Sequence, residues 1–174
     1  MLFDSRKGRP PARALLLPAL CIGLIQLVTS CGDRHESFYP SLSDAQRGGE
    51  ITRGWIPTYL PQSSRSIHEL YYLSPSTEWC SFEFAPSDSQ SLRKNLTSVS
   101  ALPRAVERVP APRVSWWPSD LTGNIDIQKA RRSGFELYVV EEPDTAVSTG
   151  IWLFAIDWKN GRAFFYETTA QGAP

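Results

Sequence analysis

Apolar residues are concentrated in an almost unbroken run near the start of the chain, between Ala14 and Val28. The run has fifteen residues and is interrupted only by Pro18, Gly23 and Gln26. A membrane-spanning helix needs roughly 20 apolar residues, so this run is short for that purpose. Basic residues precede it, at Arg6, Lys7, Arg9 and Arg13. A basic start followed by a short apolar run is typical of a secretory signal, which we expect over residues 1–30.

The chain after this signal is predicted to begin with a short polar tether over residues 31–40 and to continue as one globular domain over 41–174. The first helix is predicted from Asp44 to Arg53, because Ser43 can cap its start and Gly54 can supply a left-handed stop. Weaker patterns predict a second helix over 88–96 and a third over 125–132.

Two strands are predicted around a four-residue turn, at Ile67–Leu73 and Glu78–Phe84. If Leu73 lies opposite Glu78, the apolar residues fall mainly on one face of this strand pair. That face carries Ile67, Tyr71, Leu73, Cys80, Phe82 and Phe84. We expect it to be the core face, whereas His68 and Trp79 lie on the other face.

The clearest hairpin signal is Asn160-Gly161 between the apolar runs Ile151–Trp158 and Arg162–Thr168. Asn-Gly favours a two-residue type I′ turn, because both of its central residues need a positive φ. Both faces of the two runs are rich in apolar residues, which places this hairpin centrally in a sheet. A further strand is predicted over 135–140. The pattern as a whole predicts an α+β fold, with a mainly antiparallel sheet of about five strands and two or three helices.

The apolar run ends in Val28-Thr29-Ser30-Cys31, which resembles a lipobox, the processing signal of bacterial lipoproteins. The resemblance implies cleavage before Cys31 and attachment of lipid to that cysteine. Two alternatives are an ordinary signal-peptidase cut near Ser30 and lipid attachment at Cys21, which bulky Leu20 disfavours. By the same resemblance, Gly32 after the cysteine implies sorting to the outer membrane, facing the periplasm. An Asp directly after the cysteine would imply retention at the inner membrane, and here Asp occurs one position later, at Asp33.

Removal of residues 1–30 leaves 144 residues with 14 basic and 17 acidic side chains, a net charge of −3. This length suits one domain, which buries about two thirds of the surface that its unfolded chain exposes. A weakly acidic chain has no strong positive field to attract nucleic acid. Only Cys80 remains beside Cys31, so no disulfide is expected within the domain.

Several short elements resemble a group of uncharacterised proteobacterial predicted lipoproteins. They are Gly54-Trp55-Ile56-Pro57, the Pro-x-Ser-x-x-x-Ile spacing of residues 61–67, and the strand ending at residues 79–84. The sequence departs from the group at Ser64, where Ala is expected, and in the turn 74–77, which is less acidic. The resemblance implies the membrane localisation and the fold, but it implies no catalytic residue.

The sequence holds no convincing catalytic, cofactor or metal motif. A thiol enzyme needs a base beside Cys80, but the predicted strand pair places His68 on the opposite face, so we interpret Cys80 as a buried, inert thiol. There is no Gly-x-Ser-x-Gly elbow and no His or Cys spacing typical of zinc. We therefore predict no catalytic residue, cofactor or metal.

Aromatic residues offer the better functional hypothesis. An exposed group formed by some of Trp55, His68, Trp79, Trp116 and Trp117 would make a platform for a glycan or a peptide. The alternative is that these rings fill the core of a domain without disulfides. Together these patterns predict a membrane-anchored envelope lipoprotein and favour a binding or support module over an enzyme. Its partners would be the membrane, through Cys31, and an envelope protein or glycan. A cell-wall hydrolase is the other hypothesis.

Overall fold

The computed structural model describes residues 33–74, 76–141 and 150–169. Nine strands make up most of the secondary structure. They are β1 (Arg34–Ser41), β2 (Arg65–Tyr72), β3 (Thr77–Glu83), β4 (Thr97–Ser98), β5 (Arg108–Val109), β6 (Gly123–Asn124), β7 (Glu136–Glu141), β8 (Gly150–Asp157) and β9 (Arg162–Thr169). Four short helices accompany them. They are α1 (Leu42–Gly48), α2 (Glu50–Arg53), α3 (Gln90–Asn95) and α4 (Ile127–Arg132).

Seven of these strands form one antiparallel sheet, in the order β1-β2-β3-β9-β8-β7-β4. Strands β5 and β6 form a separate two-stranded ribbon. The predicted α+β class with a mainly antiparallel sheet is confirmed. In the described residues this sheet has seven strands, whereas about five were predicted. The two strands that were missed are β1 and the two-residue β4, because neither has a distinctive apolar alternation of its own.

Strand β1 corrects the predicted tether over residues 31–40. Residues 34–41 pair along nearly their whole length with β2, from Arg34 opposite Tyr72 to Ser41 opposite Arg65. Backbone hydrogen bonds stabilise an edge strand even when most of its side chains face water, and β1 is largely exposed. The polar sequence of this segment therefore has no pattern that predicts a strand.

The first helix starts earlier than predicted and is divided in two. Ser41, not Ser43, caps α1, and its hydroxyl accepts a hydrogen bond from the Asp44 amide at 3.3 Å. Gly49 has a φ of 87° and separates α1 from α2. The predicted left-handed stop at Gly54 is confirmed by its φ of 81°.

The β2–β3 pair has the predicted four-residue connection, but its register differs by two residues from the prediction. Glu69 lies opposite Cys80, and Tyr72 lies opposite Thr77. A shift of two residues leaves every side chain on its predicted face, because side chains alternate with a period of two. Leu73 nevertheless falls in the connection and is 58% exposed, so its predicted place in the core is wrong.

The β8–β9 hairpin lies inside the sheet, as predicted, but its turn is not the predicted two-residue type I′ turn. Asp157 pairs with Arg162, which leaves a four-residue loop. Gly161 has a φ of 63°, whereas Asn160 does not have a positive φ. The Asp157 carboxylate accepts hydrogen bonds from the amide and side chain of Asn160, at 3.0 and 2.7 Å, and thereby closes the longer loop.

Both faces of the sheet are covered. On the helix face, α1 and α3 pack over a core that includes Ile67, Cys80 and Phe165. On the loop face, the segment from residue 99 to α4 covers a second core that includes Leu70, Trp79 and Phe164. The single predicted core face is therefore only half of the interior. None of the helices in the described ranges is long and apolar enough to cross a bilayer.

Candidate functional site

A small cleft of about 160 Å³ opens on the loop face, at the end of the sheet where β2 begins and β3 ends. Strands β2, β3 and β9 form its floor, and the loop containing Trp116 forms one wall. Its lining residues are Ser66, His68, Ser81, Phe82, Glu83, Trp116, Arg162 and Phe164. The cleft therefore combines hydroxyl groups, an imidazole, aromatic rings, a guanidinium group and the carboxylate of Glu83.

Strand β2 reaches this cleft through an irregularity. The β2–β3 register shifts between Arg65 and His68, and Ser66 has a φ of 48°. It is the one non-glycine residue with positive φ within the described ranges. Such conformations are uncommon and persist where the surrounding structure enforces them. A bulge of this kind changes the direction of nearby side chains, here beside His68.

Ring contacts extend from the cleft to the surface. His68 contacts Phe38 of the neighbouring strand, at a centroid distance of 4.7 Å, and stacks on Trp116, at 5.5 Å. Phe38 is 55% exposed, and Trp116 continues the contact inward to Trp117. We call Phe38, His68 and Trp116 the ring platform. The His68 ring is thus stacked on Trp116 and tilted against Phe38.

Charged groups around the cleft are paired. Arg65 contacts Glu83 at 3.1 Å, and Arg162 contacts Asp157 at 2.8 Å. The Trp116 indole N–H is buried and has no hydrogen-bond partner in the described part of the chain. Paired charges produce little net field, so hydroxyl groups and rings dominate the chemistry of the cleft. This chemistry suits a neutral polar ligand with apolar faces.

A second unusual group, the buried glutamates Glu50, Glu69 and Glu78, occupies the helix face. Both carboxylate oxygens of Glu69 and of Glu78 are buried without a hydrogen-bond partner in the described ranges. Glu50 accepts hydrogen bonds from the Tyr39 hydroxyl at 2.5 Å and from Arg53 at 2.9 Å. Buried polar groups without partners are rare in folded proteins, which makes this group notable.

Burial controls the protonation of these carboxyl groups. The pKa of Glu69 is raised from 4.5 to about 8. The largest cause is the loss of solvation on burial, and the second is the nearby charge of Glu50. The pKa of Glu78 is also raised well above its ordinary value, mainly by the loss of solvation and secondly by the charge of Glu69. Glu69 therefore retains its proton at neutral pH, and burial disfavours the charged form of Glu78 as well. Throughout the described residues, no cluster of three or more His, Cys, Asp and Glu side chains is arranged to hold a metal ion.

The structure brings together three of the five predicted surface residues: His68, Trp116 and Trp117. Trp79 lies on the same face but is only 4% exposed, and its N–H donates to the Pro110 carbonyl at 3.1 Å. Trp55 lies on the helix face, stacked on Tyr71 at 4.9 Å. A platform containing all five residues is therefore not formed.

The two predicted cysteine roles have different outcomes. Cys80 is fully buried, as predicted, and burial raises the pKa of its thiol well above the ordinary value. Cys31 lies outside the described residues. Its lipid attachment therefore stays a prediction.

Sequence reasoning missed Phe38, Ser66 and Arg162, which the fold assembles around His68 from separate strands. It also missed the buried glutamates, although a signal for them was present. Glu69 and Glu78 occur in the same alternation as Ile67 and Cys80, so they share the predicted core face. An acidic residue at a predicted core position was the available signal.

Comparison with protein families finds a similarity for the first part of the domain. A family model described as the YbbD head domain matches residues 33–83 of the 174. The matched segment extends from β1 to β3, so it contains His68 and the buried glutamates but not Trp116. Searches of curated proteins and of solved structures find no match.

Proposed function

We propose that this chain is a lipid-anchored, non-enzymatic binding module of the bacterial cell envelope, facing the periplasm. The lipobox-like segment ending at Cys31 supports the anchor. The ring platform beside the cleft is the observation that supports binding, because it joins exposed apolar surface to the hydroxyl groups that line the cleft. A glycan strand is the ligand class that these features fit best, since sugars present both apolar faces and acceptor oxygens.

A cell-wall hydrolase is the alternative, and the arrangement of acids is unfavourable to it. General acid catalysis at neutral pH needs a carboxyl group with a raised pKa close to the substrate. Glu69 and Glu78 have such pKa values, but they lie on the helix face, whereas the cleft opens on the loop face. The His68 imidazole, which lines the cleft, is in contact with two rings, those of Phe38 and Trp116.

The binding proposal is tested by co-sedimentation of the purified protein with insoluble cell-wall sacculi. We expect Trp116→Ala and His68→Ala each to weaken binding by about tenfold, since loss of a ring contact costs roughly 1–1.5 kcal/mol. Trp55→Ala is the matched control, because Trp55 lies on the helix face, and it should bind like the wild type. Equal retention of all three variants would rule out the ring platform as the site.

The anchor proposal has a separate test. Cells grown with a labelled fatty acid should incorporate the label into the wild-type protein but not into Cys31→Ser. The variant should also accumulate as a longer precursor that retains residues 1–30. Normal processing of Cys31→Ser, together with an unlabelled wild type, would indicate simple secretion.

A further inference from the structure

One end of the sheet lies directly beside the start of the domain. The strand registers align Arg34 of β1 with Tyr72 of β2, and Tyr72 with Thr77 of β3. The Leu73 amide, just past β2, donates a hydrogen bond to the Asp33 carbonyl at 3.0 Å. The β2–β3 connection and the first residues of the domain are therefore neighbours.

The exposed chemistry at this end is amphipathic. Leu73 is 58% exposed and, with Phe38, is one of the two large apolar side chains that are exposed within the described ranges. Tyr71 and Tyr72, on opposite faces of β2, are half-buried beside it. Trp55 stacks on Tyr71, and the Arg53 guanidinium lies 5.2 Å from the Trp55 ring centre. We call this set, Arg53, Trp55, Tyr71, Tyr72 and Leu73, the anchor-end surface.

These residue types suit the boundary of a bilayer. Tyrosine and tryptophan present an apolar body and a polar tip, and they are enriched at the level of lipid headgroups. Arginine can extend its charge towards water or headgroups while its stem remains in an apolar setting. A single exposed leucine is ordinary on a protein surface. A leucine that follows two tyrosines in the chain, and whose amide binds the Asp33 carbonyl at the start of the domain, is a more specific arrangement.

The position of the proposed lipid indicates that the partner of this surface is a lipid bilayer. Cys31 precedes Asp33 by two residues, and two residues of chain extend at most about 7 Å. A lipid attached at Cys31 would consequently hold the bilayer close to Leu73.

We infer that the anchor-end surface is a membrane-docking surface, in which Leu73 enters the headgroup region of the bilayer that holds the lipid. The inference rests on the lipid anchor proposed above. Because six residues of strand separate Ser66 from Tyr72, about 20 Å, docking at this end carries the cleft away from the membrane. The strands then point away from the membrane, and the ring platform faces the periplasm.

The test uses the full-length protein, purified from membranes with its lipid and reconstituted in vesicles of phosphatidylethanolamine and phosphatidylglycerol. A nitroxide label is attached through Leu73→Cys or, as the matched control, through Phe38→Cys at the other exposed apolar position. Cys80 is buried and does not compete for the label in the folded protein. Relaxation by oxygen reports contact with lipid, and relaxation by a water-soluble nickel chelate reports contact with water.

We expect the label at position 73 to respond to oxygen and to be shielded from nickel, whereas the label at position 38 responds to nickel. Exposure of both labels to nickel would overturn the docking surface and leave a freely tethered domain. Shielding of position 73 from both agents would also overturn it, in favour of a protein contact. Fatty-acid labelling of the same preparation distinguishes the two proposals. A protein that carries no labelled fatty acid refutes the lipid anchor and, with it, the docking surface. A protein that carries the fatty acid but whose nitroxide at position 73 is exposed to nickel refutes only the docking surface.

Discussion

At the scale of single residues, the buried carboxyl groups of Glu69 and Glu78 are the most unusual feature of the fold. They lie on adjacent strands of the helix face, and neither is exposed to solvent. Burial of a charged carboxylate without partners is costly, so each group remains protonated instead. The fold therefore holds protons that the unfolded chain releases.

This protonation predicts a stability that falls as pH rises. The Glu69 pKa is about 8 in the folded protein and near 4.5 when the chain unfolds, so the folded form binds more protons between these values. Stability is greatest below pH 4.5 with respect to this group and is lost progressively up to pH 8, at about 1.4 kcal/mol per pH unit. The total from Glu69 alone is on the order of 3–5 kcal/mol. Urea unfolding between pH 5 and pH 8 measures this slope.

The matched variants are Glu69→Gln and, at an exposed position, Glu107→Gln. Glu69→Gln should unfold like the wild type at pH 5 and be more stable than the wild type at pH 8, because glutamine cannot ionise. The slope should be shallower but not zero, since Glu78 still titrates. Glu107→Gln should keep the wild-type slope. Parallel pH curves for all three proteins would show that Glu69 is not protonated by burial.

At the scale of elements, the β8–β9 hairpin depends on one glycine. Gly161 combines a φ of 63° with close packing, since a Cβ built there would lie 2.0 Å from the Phe84 carbonyl oxygen. The Gly161 carbonyl also accepts a hydrogen bond from the Phe84 amide at 2.7 Å. Any side chain at this position must therefore displace the end of β3.

Replacement Gly161→Ala should lower the free energy of unfolding by roughly 3–5 kcal/mol, through backbone strain and the lost contact with β3. Gly54→Ala is the control, because Gly54 has a similar φ of 81° but no atom within 4 Å of its added Cβ. It should cost only about 1–2 kcal/mol, the strain of the left-handed backbone alone. Equal urea midpoints for the two variants would contradict the packing at Gly161.

The same hairpin shows how far sequence reasoning extends. Its central position followed from the aromatic runs, which need burial on both faces. Its register did not follow, because the Asp157 side chain closes a four-residue loop in competition with the two-residue Asn-Gly turn. Strand β1 was missed for a related reason, since pairing with β2, not its own pattern, makes it a strand. His68, Trp116 and Trp117 were predicted as candidates, but their assembly depends on an irregular segment that has no periodicity to read.

At the scale of the whole molecule, the sheet separates two surfaces of different chemistry. The anchor-end surface lies where β1 starts, and the cleft lies about 13–20 Å further along the strands, at four to six residues from Tyr72. A lipid at Cys31 would hold the first surface to the membrane and direct the second into the envelope. We propose that the ring platform, in the second of these surfaces, is where the module binds its glycan ligand.

The most direct test is fluorine NMR of protein labelled with 5-fluorotryptophan and titrated with soluble cell-wall glycan fragments. Trp116→Phe and Trp55→Phe assign the two resonances of interest. Saturable shifts of the Trp116 resonance, with the Trp55 resonance unchanged, are the predicted result. No shift of Trp116 at fragment concentrations that shift Trp55, or no shift of either, would contradict a glycan site at the ring platform.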